Sequence, residues 1–231
     1  MLQQTNPRIA LVAGGSGFVG GLLLRLLLQA PDYARVYAVS RRPLSLEHPK
    51  LANRILPLEQ ARAQLAGLQC HDVYCCLGST LRQAGSEQDR QKVDLDLTVS
   101  FARAARSLGA TRFVVLSAAG ADRDARNPYL RTKGEMEQAV REPGFESLDI
   151  LRPGLLLGWR GELRPLELLA GLAMPLVNPL LRGRHARWRG IAAGDVAAAM
   201  LGASRSQRRG MYVYEGLALP QLAAAGRRNL S

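Results

Sequence analysis

The sequence predicts a doubly wound α/β domain, in which helices cover both faces of a parallel sheet, with a small C-terminal substrate lobe. Three observations predict this class. Short apolar segments alternate with longer stretches of helical character, several apolar segments contain almost no polar residue, and the first ends in a cluster of glycines. Alternating strands and helices build βαβ units, and almost wholly apolar strands are typical of sheets buried on both faces.

The elements follow one another along most of the chain. Strands are predicted at 8–13, 35–40, 54–58, 72–76, 112–117, 148–151 and 211–214. Helices are predicted at 18–29, 59–68, 89–108, 128–141 and 195–204. Pro31, Gly109 and Pro143 each follow a predicted helix, where residues of this type end helical structure.

Length and composition indicate one folded domain. The chain has 231 residues, of which 47% are hydrophobic, so residues 1–231 are predicted to form a single domain. Within it, 155–190 and 205–231 are expected to contribute a small lid over the site. The N-terminal residues lack the apolar stretch of a secretory signal, and no apolar window is long enough to span a membrane. Three cysteines match neither a disulfide framework nor zinc spacing, so we expect a cytoplasmic protein with no metal.

The charge balance is strongly basic. The chain carries 31 basic and 19 acidic residues, a formal net charge of +12, which raises the question of nucleic acid. The arginines are scattered along the chain, which is more typical of a solvated surface. A phosphorylated cofactor fits a positive field equally well, so we expect partners other than nucleic acid or membrane.

A glycine turn joins the first strand to the first helix. Residues 14–20 read GGSGFVG. The first glycine, Gly14, permits a tight turn, Gly17 lets the backbone approach a pyrophosphate, and Gly20 lets helix and strand pack closely. The helix N-terminus then offers unpaired N–H groups to the phosphates. In this strand–turn–helix setting the motif predicts a dinucleotide site.

The end of the second strand bears on which dinucleotide binds. A carboxylate there would contact the adenosine ribose, whereas this chain has Ser40, Arg41 and Arg42. Two guanidinium groups and a hydroxyl suit a 2′-phosphate. The sequence therefore favours NADP(H) over NAD(H), the alternative being two solvated arginines.

A phenol and an ammonium lie four residues apart at Tyr129 and Lys133. On a helix they share one face. A nearby lysine stabilises a phenolate, so the phenol could exchange a proton with a substrate oxygen. Ser117 ends the preceding predicted strand, where its hydroxyl could orient a substrate carbonyl.

Five segments, taken together, carry a family resemblance. They are GGSGFVG at 14–20, YCCLGST at 74–80, LSAAGAD at 116–122, YLRTKGE at 129–135 and LRPGLLLG at 151–158. In this order they resemble the short-chain dehydrogenase/reductase family, in particular its atypical Tat-interacting-protein-like oxidoreductase branch, over residues 8–205. The resemblance implies a Rossmann fold, NADP(H) binding and a catalytic centre of Ser117, Tyr129 and Lys133.

The resemblance also implies cofactor contacts, residue by residue. They are Gly14, Gly15, Ser16, Gly17, Phe18, Val19, Gly20, Ser40, Arg41, Arg42, Leu77, Gly78, Ser79, Ser117, Tyr129, Lys133, Pro153 and Gly154. One position departs from the family pattern. Asp94 occupies the place where many members carry an asparagine that helps a proton relay.

Two functions remain open at this point. The first is an NADP(H)-dependent oxidoreductase acting on a small carbonyl or alcohol. The second is an NADP(H)-sensing regulatory or assembly protein with little or no turnover, acting through a protein partner or as a homo-oligomer. The proline-interrupted segment 163–181 is interpreted as packing of the small C-terminal lobe over the site, the alternatives being a lid, a dimer face or a membrane-surface contact. The arginine-rich segment 182–189 is interpreted as a solvated loop, the alternative being a grip on RNA or an acidic substrate.

Overall fold

The computed structural model describes residues 7–78, 85–158, 178, 181, 183–206 and 208–230, except for the side chain of Arg184. The described strands are β1 Arg8–Ala13, β2 Tyr33–Ser40, β3 Leu51–Ile55, β4 Asp72–Cys75, β5 Arg112–Leu116, β6 Ser147–Arg152, β7 Leu156–Leu157, β8 Ile191–Ala192 and β9 Gly210–Glu215. The described helices are α1 Phe18–Gln29, α2 Ala61–Gln64, α3 Glu87–Gln91, α4 Thr98–Ser107, α5 Pro128–Ala139, α6 Ala193–Arg205 and α7 Ala218–Gly226.

Seven of these strands form one parallel sheet, in the order β3–β2–β1–β4–β5–β6–β9. The strand order runs outward from β1 in one direction and from β4 in the other. The connections after β1 and β4 therefore leave on opposite sides, which opens a crevice at the carboxyl ends of these two strands. The predicted Rossmann-type α/β fold is confirmed.

Helices cover both faces because successive strand residues point to opposite sides. In β1, Ala10 and Val12 face one apolar cluster with α1, α6 and α7. Leu11 and Ala13 face the other, with α4 and α5. All four are at most 1% exposed, as expected for a strand whose two faces are both covered.

The structure differs from the sequence prediction in four places. The strand predicted at 54–58 lies instead at Leu51–Ile55. The predicted helix 89–108 contains a π-helical stretch at Lys92–Leu97 between α3 and α4. The predicted helix 59–68 is a 3₁₀ turn, Leu58–Gln60, followed by the single turn of α2. Most of 205–231, expected to belong to a lid, instead supplies β9 at the sheet edge and α7, which packs against α6.

Candidate functional site

The glycine turn has the geometry that close packing between β1 and α1 requires. Gly14 has a φ of +81°, a conformation that glycine adopts without strain. Its carbonyl accepts a hydrogen bond from the Gly17 N–H at 2.9 Å. A Cβ added to Gly20 would lie 2.1 Å from that same carbonyl oxygen. These glycines therefore let the start of α1 approach the end of β1.

A cavity of about 750 Å³ opens from this turn across the carboxyl ends of β1, β4, β5 and β6. Its lining includes Gly15, Ser16, Gly17, Phe18, Val19, Leu77, Gly78, Ser117, Tyr129, Lys133, Pro153 and Gly154. The cavity thus brings together the predicted phosphate site and the predicted reactive side chains, which lie 97 to 119 residues apart in sequence. Its volume falls within the range typical of sites for small molecules and cofactors.

The residues at the start of α1 suit a diphosphate. Among the described residues, no side chain caps this helix and no acidic side chain occupies its first turn. The positive end of the helix dipole therefore meets no acidic side chain there and favours an anion. Gly14 and Gly17 add no side chain between the turn and the cavity, so a dinucleotide fits the residues present.

The residues predicted to select the cofactor lie beside this cavity. Arg41 and Arg42 are exposed directly after β2, and the following residues, Pro43 to Leu46, line the cavity. Ser40 is buried, with its Oγ 2.6 Å from the Arg42 carbonyl oxygen and 2.8 Å from Asn53 Oδ1. Its hydroxyl thus supports the turn that carries the arginines, and a cofactor contact of Ser40 stays a prediction.

Lys133 forms a buried ion pair that the sequence alone did not reveal. Its Nζ lies 2.5 Å from Oδ1 of Asp94, and the two side chains are 4% and 0% exposed. A Cβ on Gly78 would come within 3.3 Å of Asp94 Oδ1 and 3.7 Å of Lys133 Nζ, so both charges lie directly beneath this glycine. Burial by itself lowers the pKa of Lys133, but the nearby Asp94 carboxylate outweighs it and leaves the pKa raised.

Ser117 is engaged with a second buried carboxylate. Its Oγ donates to Oε1 of Glu137 at 2.5 Å. Arg152 holds the same carboxylate through two hydrogen bonds of 2.8 and 2.6 Å. Glu137 follows Lys133 by one helical turn on α5, so the helix face that carries Tyr129 and Lys133 continues into this contact. A hydroxyl has one proton, so Ser117 as arranged presents only acceptor capacity to the cavity.

Tyr129 has a cation against its ring. The guanidinium carbon of Arg90 lies 5.0 Å from the ring centroid, within the range of a cation–π contact. Arg90 is 9% exposed and belongs to α3. Spacing could not have indicated this contact, because it joins residues from two separate helices.

The remaining predicted cofactor residues are distributed as follows. Leu77 and Gly78 follow β4, and Pro153 and Gly154 follow β6, all four at the cavity wall. Ser79 lies outside the described residues, as do 163–177, 179–180 and Arg182 from the two segments singled out above. Trp188, from the arginine-rich segment, packs against Gly120, where an added Cβ would meet its ring at 2.7 Å.

Two cysteines lie at the cavity end of β4, where Cys75 is the last residue of the strand and Cys76 follows it. Burial raises the pKa of Cys75 to about 11, and Cys76 contacts the Met200 sulfur at 3.6 Å. Within the described part of the chain, no group of His, Cys, Asp and Glu side chains could hold a metal ion.

The thiolate is the reactive form of cysteine, and the raised pKa keeps Cys75 in the thiol form at neutral pH. Cys75 is therefore expected to resist iodoacetamide at pH 7.5 in the folded protein and to react in urea. Mass spectrometry of the alkylated peptides measures this. Labelling of Cys75 at equal rates in both conditions would contradict the buried position.

Fold and cavity together define a dinucleotide-binding protein of the Rossmann type. A family model described as NAD(P)H-binding matches residues 14–166. The chain belongs to the NAD(P)H-binding family, as an atypical short-chain dehydrogenase/reductase, which confirms the resemblance carried by its motifs.

Two relatives and two solved structures are similar to this chain. Protein HTATIP2 of Rattus norvegicus is 37% identical over 163 residues, 69% of this chain and 67% of that protein. Protein fmp52-1, mitochondrial, of Aspergillus terreus is 38% identical over 186 residues, 78% of this chain and 80% of that protein. MoeE5 in complex with UDP-glucuronic acid and NAD aligns with a TM-score of 0.67 at 20% identity, over 90% of this chain and 76% of that one. UDP-glucuronic acid 4-epimerase from Bacillus cereus in complex with NAD gives 0.65 at 14% identity, over 90% and 78%. At such identities the two structures show the fold alone.

Nothing among the described helices is both long and apolar enough to cross a membrane.

Proposed function

We propose that the protein is an NADP(H)-dependent oxidoreductase that interconverts a carbonyl and an alcohol on a small, fairly apolar substrate. The observation that carries this proposal is the single cavity joining the glycine turn to Tyr129 and Lys133. A dinucleotide whose diphosphate lies at the start of α1 would extend toward these two side chains.

The chain's own residues would divide the work as follows. The glycine turn binds the diphosphate, and the Lys133 ammonium, paired with Asp94, has three N–H donors from which it can serve ribose hydroxyls. The nicotinamide, when bound, supplies or accepts the hydride. Tyr129 donates a proton to the substrate oxygen in reduction and removes it in oxidation. The proposed role of Ser117 in orienting a carbonyl requires its hydroxyl to turn away from Glu137.

A sensing or assembly protein is the second candidate, and a specific observation favours it. Ser117 and Lys133 are both bound to buried carboxylates, Glu137 and Asp94, which limits their availability to a substrate. Screening a panel of aldehydes, ketones and alcohols with NADPH and NADP⁺ separates the candidates. Turnover of any member at more than the rate of the Tyr129→Phe protein supports the enzyme, whereas tight cofactor binding without turnover supports the sensor.

The choice of NADP(H) is tested by removing the two exposed guanidiniums. The double variant Arg41→Ala/Arg42→Ala is expected to bind NADPH about 10–100-fold more weakly, because charge-assisted hydrogen bonds to a phosphate contribute roughly 1.5–3 kcal/mol. NADH affinity should change less than about twofold, since it lacks that phosphate. Isothermal titration calorimetry with both coenzymes measures the difference.

Arg35→Ala is the matched control, because Arg35 is an exposed arginine near the start of β2, whereas Arg41 and Arg42 follow its end. Equal losses of NADPH affinity in the control and the double variant would show a general charge effect. Absence of heat with either coenzyme in the wild-type protein would overturn both candidate functions.

The cytoplasmic location and a protein partner or homo-oligomer belong to the same proposal. A fluorescent fusion imaged in the source cells tests the location, and light scattering of the purified protein tests self-association.

A further inference from the structure

Two pairs of side chains contact each other at the cavity wall, which Tyr129 and Lys133 line. Arg90 and Asp94 come from α3 and the π-helical stretch, and Tyr129 and Lys133 come from α5. Each pair is spaced by four residues, so each presents one helix face. Arg90 lies against the Tyr129 ring at 5.0 Å, and Asp94 lies against Lys133 at 2.5 Å.

The π-helical stretch is part of this arrangement. Lys92–Leu97 includes Asp94, the buried residue of that segment, and this segment packs against α5. A π turn accommodates an extra residue and so changes which side chains a helix directs inward. Such turns occur frequently at functional sites.

The charge of Lys133 is more completely neutralised by its partner than the charge of Arg90. Asp94 and Lys133 are both buried and adjacent, so their charges largely offset each other. Arg90 pairs with Glu87, but Glu87 has a side chain 46% exposed, and water screens its charge. The Nε of Arg90 is buried and makes no hydrogen bond within the described residues.

We propose that Asp94 and Arg90 are positioning residues that set the charge beside the Tyr129 phenol. Asp94 holds Lys133 beneath Gly78 and cancels its charge, and Arg90 supplies the net positive charge that favours the phenolate. This proposal rests on the proposed function in that it concerns the same acid/base group, but the charge arrangement can be measured without turnover.

Other titratable groups near this centre leave the balance unchanged. Cys75, on β4, faces Lys133, and burial raises its pKa to about 11, so it is neutral at pH 7. Ser117, directly after β5, is neutral. Next along α5, Glu137 forms a bidentate pair with Arg152 of β6. Arg152 also lies 3.9 Å from Glu215, whose side chain is 38% exposed, so water screens that extra charge.

The test is a spectroscopic titration of tyrosinate in the cofactor-free protein, with the Tyr129→Phe protein subtracted to isolate Tyr129. Asp94→Asn removes one negative charge, so the Tyr129 signal is expected up to about one pH unit lower than in the wild type, with the full shift where Lys133 keeps its proton without the carboxylate. Arg90→Gln removes one positive charge, so its signal is expected about one pH unit higher. Asp96→Asn is the matched control, because Asp96 is an exposed carboxylate in the same π-helical stretch, and it should shift the signal by less than about 0.3 pH units.

A double variant that also replaces Lys133 keeps the proposal testable if Asp94→Asn does not fold. The double variant Asp94→Asn/Lys133→Met removes both buried charges, so its Tyr129 signal should stay near the wild-type pH. If Lys133 alone set the phenol's ionisation, the double variant would titrate well above the wild type. That result, or shifts of the same sign in Asp94→Asn and Arg90→Gln, would overturn the proposal, whereas a missing turnover would count only against the proposed function.

Discussion

Replacing Tyr129 by phenylalanine is expected to reduce carbonyl turnover by about 10²–10⁴-fold, the usual contribution of a general acid or base. NADPH affinity should stay within about twofold of the wild type. Phenylalanine keeps the aromatic ring that lies against Arg90 and removes only the hydroxyl. Steady-state kinetics with the best substrate of the panel, together with calorimetry for NADPH, measures both quantities.

A matched control separates loss of the reacting hydroxyl from a general effect of removing a phenol. Tyr37 on β2 also has an arginine against its ring, Arg54 at 5.7 Å, and β2 lies on the other side of β1 from β4 and β5 in the sheet. Tyr37→Phe should therefore retain wild-type kinetics. Equal loss of turnover and NADPH affinity in Tyr129→Phe would indicate a structural role for this residue, and unchanged turnover would place the proton donor elsewhere.

The features that sequence could predict are those encoded within one short segment. The glycine turn and α1 were predicted with their observed bounds, because strand, turn and helix signals lie next to one another at 8–29. Tyr129 and Lys133 were expected on one helix face, and α5 carries both. The strand ends that form the cavity wall followed from the parallel topology, since carboxyl ends of parallel strands meet at one edge.

The features that sequence missed depend on contacts between separate elements. Asp94 was noted as a departure from the family pattern, but its pairing with Lys133 depends on a π-helical stretch that periodicity does not signal. Ser117 was expected to face a substrate, and its bond to Glu137 arises because α5 continues one turn past Lys133. In both cases a buried carboxylate binds a predicted reactive group, and its position became visible only once the helices were packed.

A second buried polar cluster lies at the opposite, amino-terminal edge of the sheet. Asp72, fully buried at the start of β4, pairs with Arg8 at the start of β1. It also accepts a hydrogen bond from the Tyr33 hydroxyl at 2.7 Å. The Tyr33 and Tyr74 hydroxyls lie 2.8 Å apart, and that of Tyr74 lies 2.5 Å from Ser204 Oγ at the end of α6. The carboxylate also lies 4.0 Å from Arg112 on β5. The cluster thus ties together four strands and, through Tyr74, a helix.

Asp72→Asn is therefore expected to lower the free energy of unfolding by about 3 kcal/mol, because removing one partner leaves the other charge buried without compensation. Arg8 is 25% exposed, which places the effect at the lower end of the range for buried pairs. A chain of this size should then melt roughly 6–12 °C lower.

Urea denaturation and thermal melting measure both changes. The control Asp124→Asn, at a side chain 86% exposed, should alter the free energy of unfolding by less than about 0.5 kcal/mol. Since the cluster lies across the sheet from the cavity, the folded Asp72→Asn protein should keep its NADPH affinity. A loss of stability below about 1 kcal/mol would mean that Arg8 reaches solvent without penalty, whereas weaker NADPH binding would mean that the two edges of the sheet are coupled.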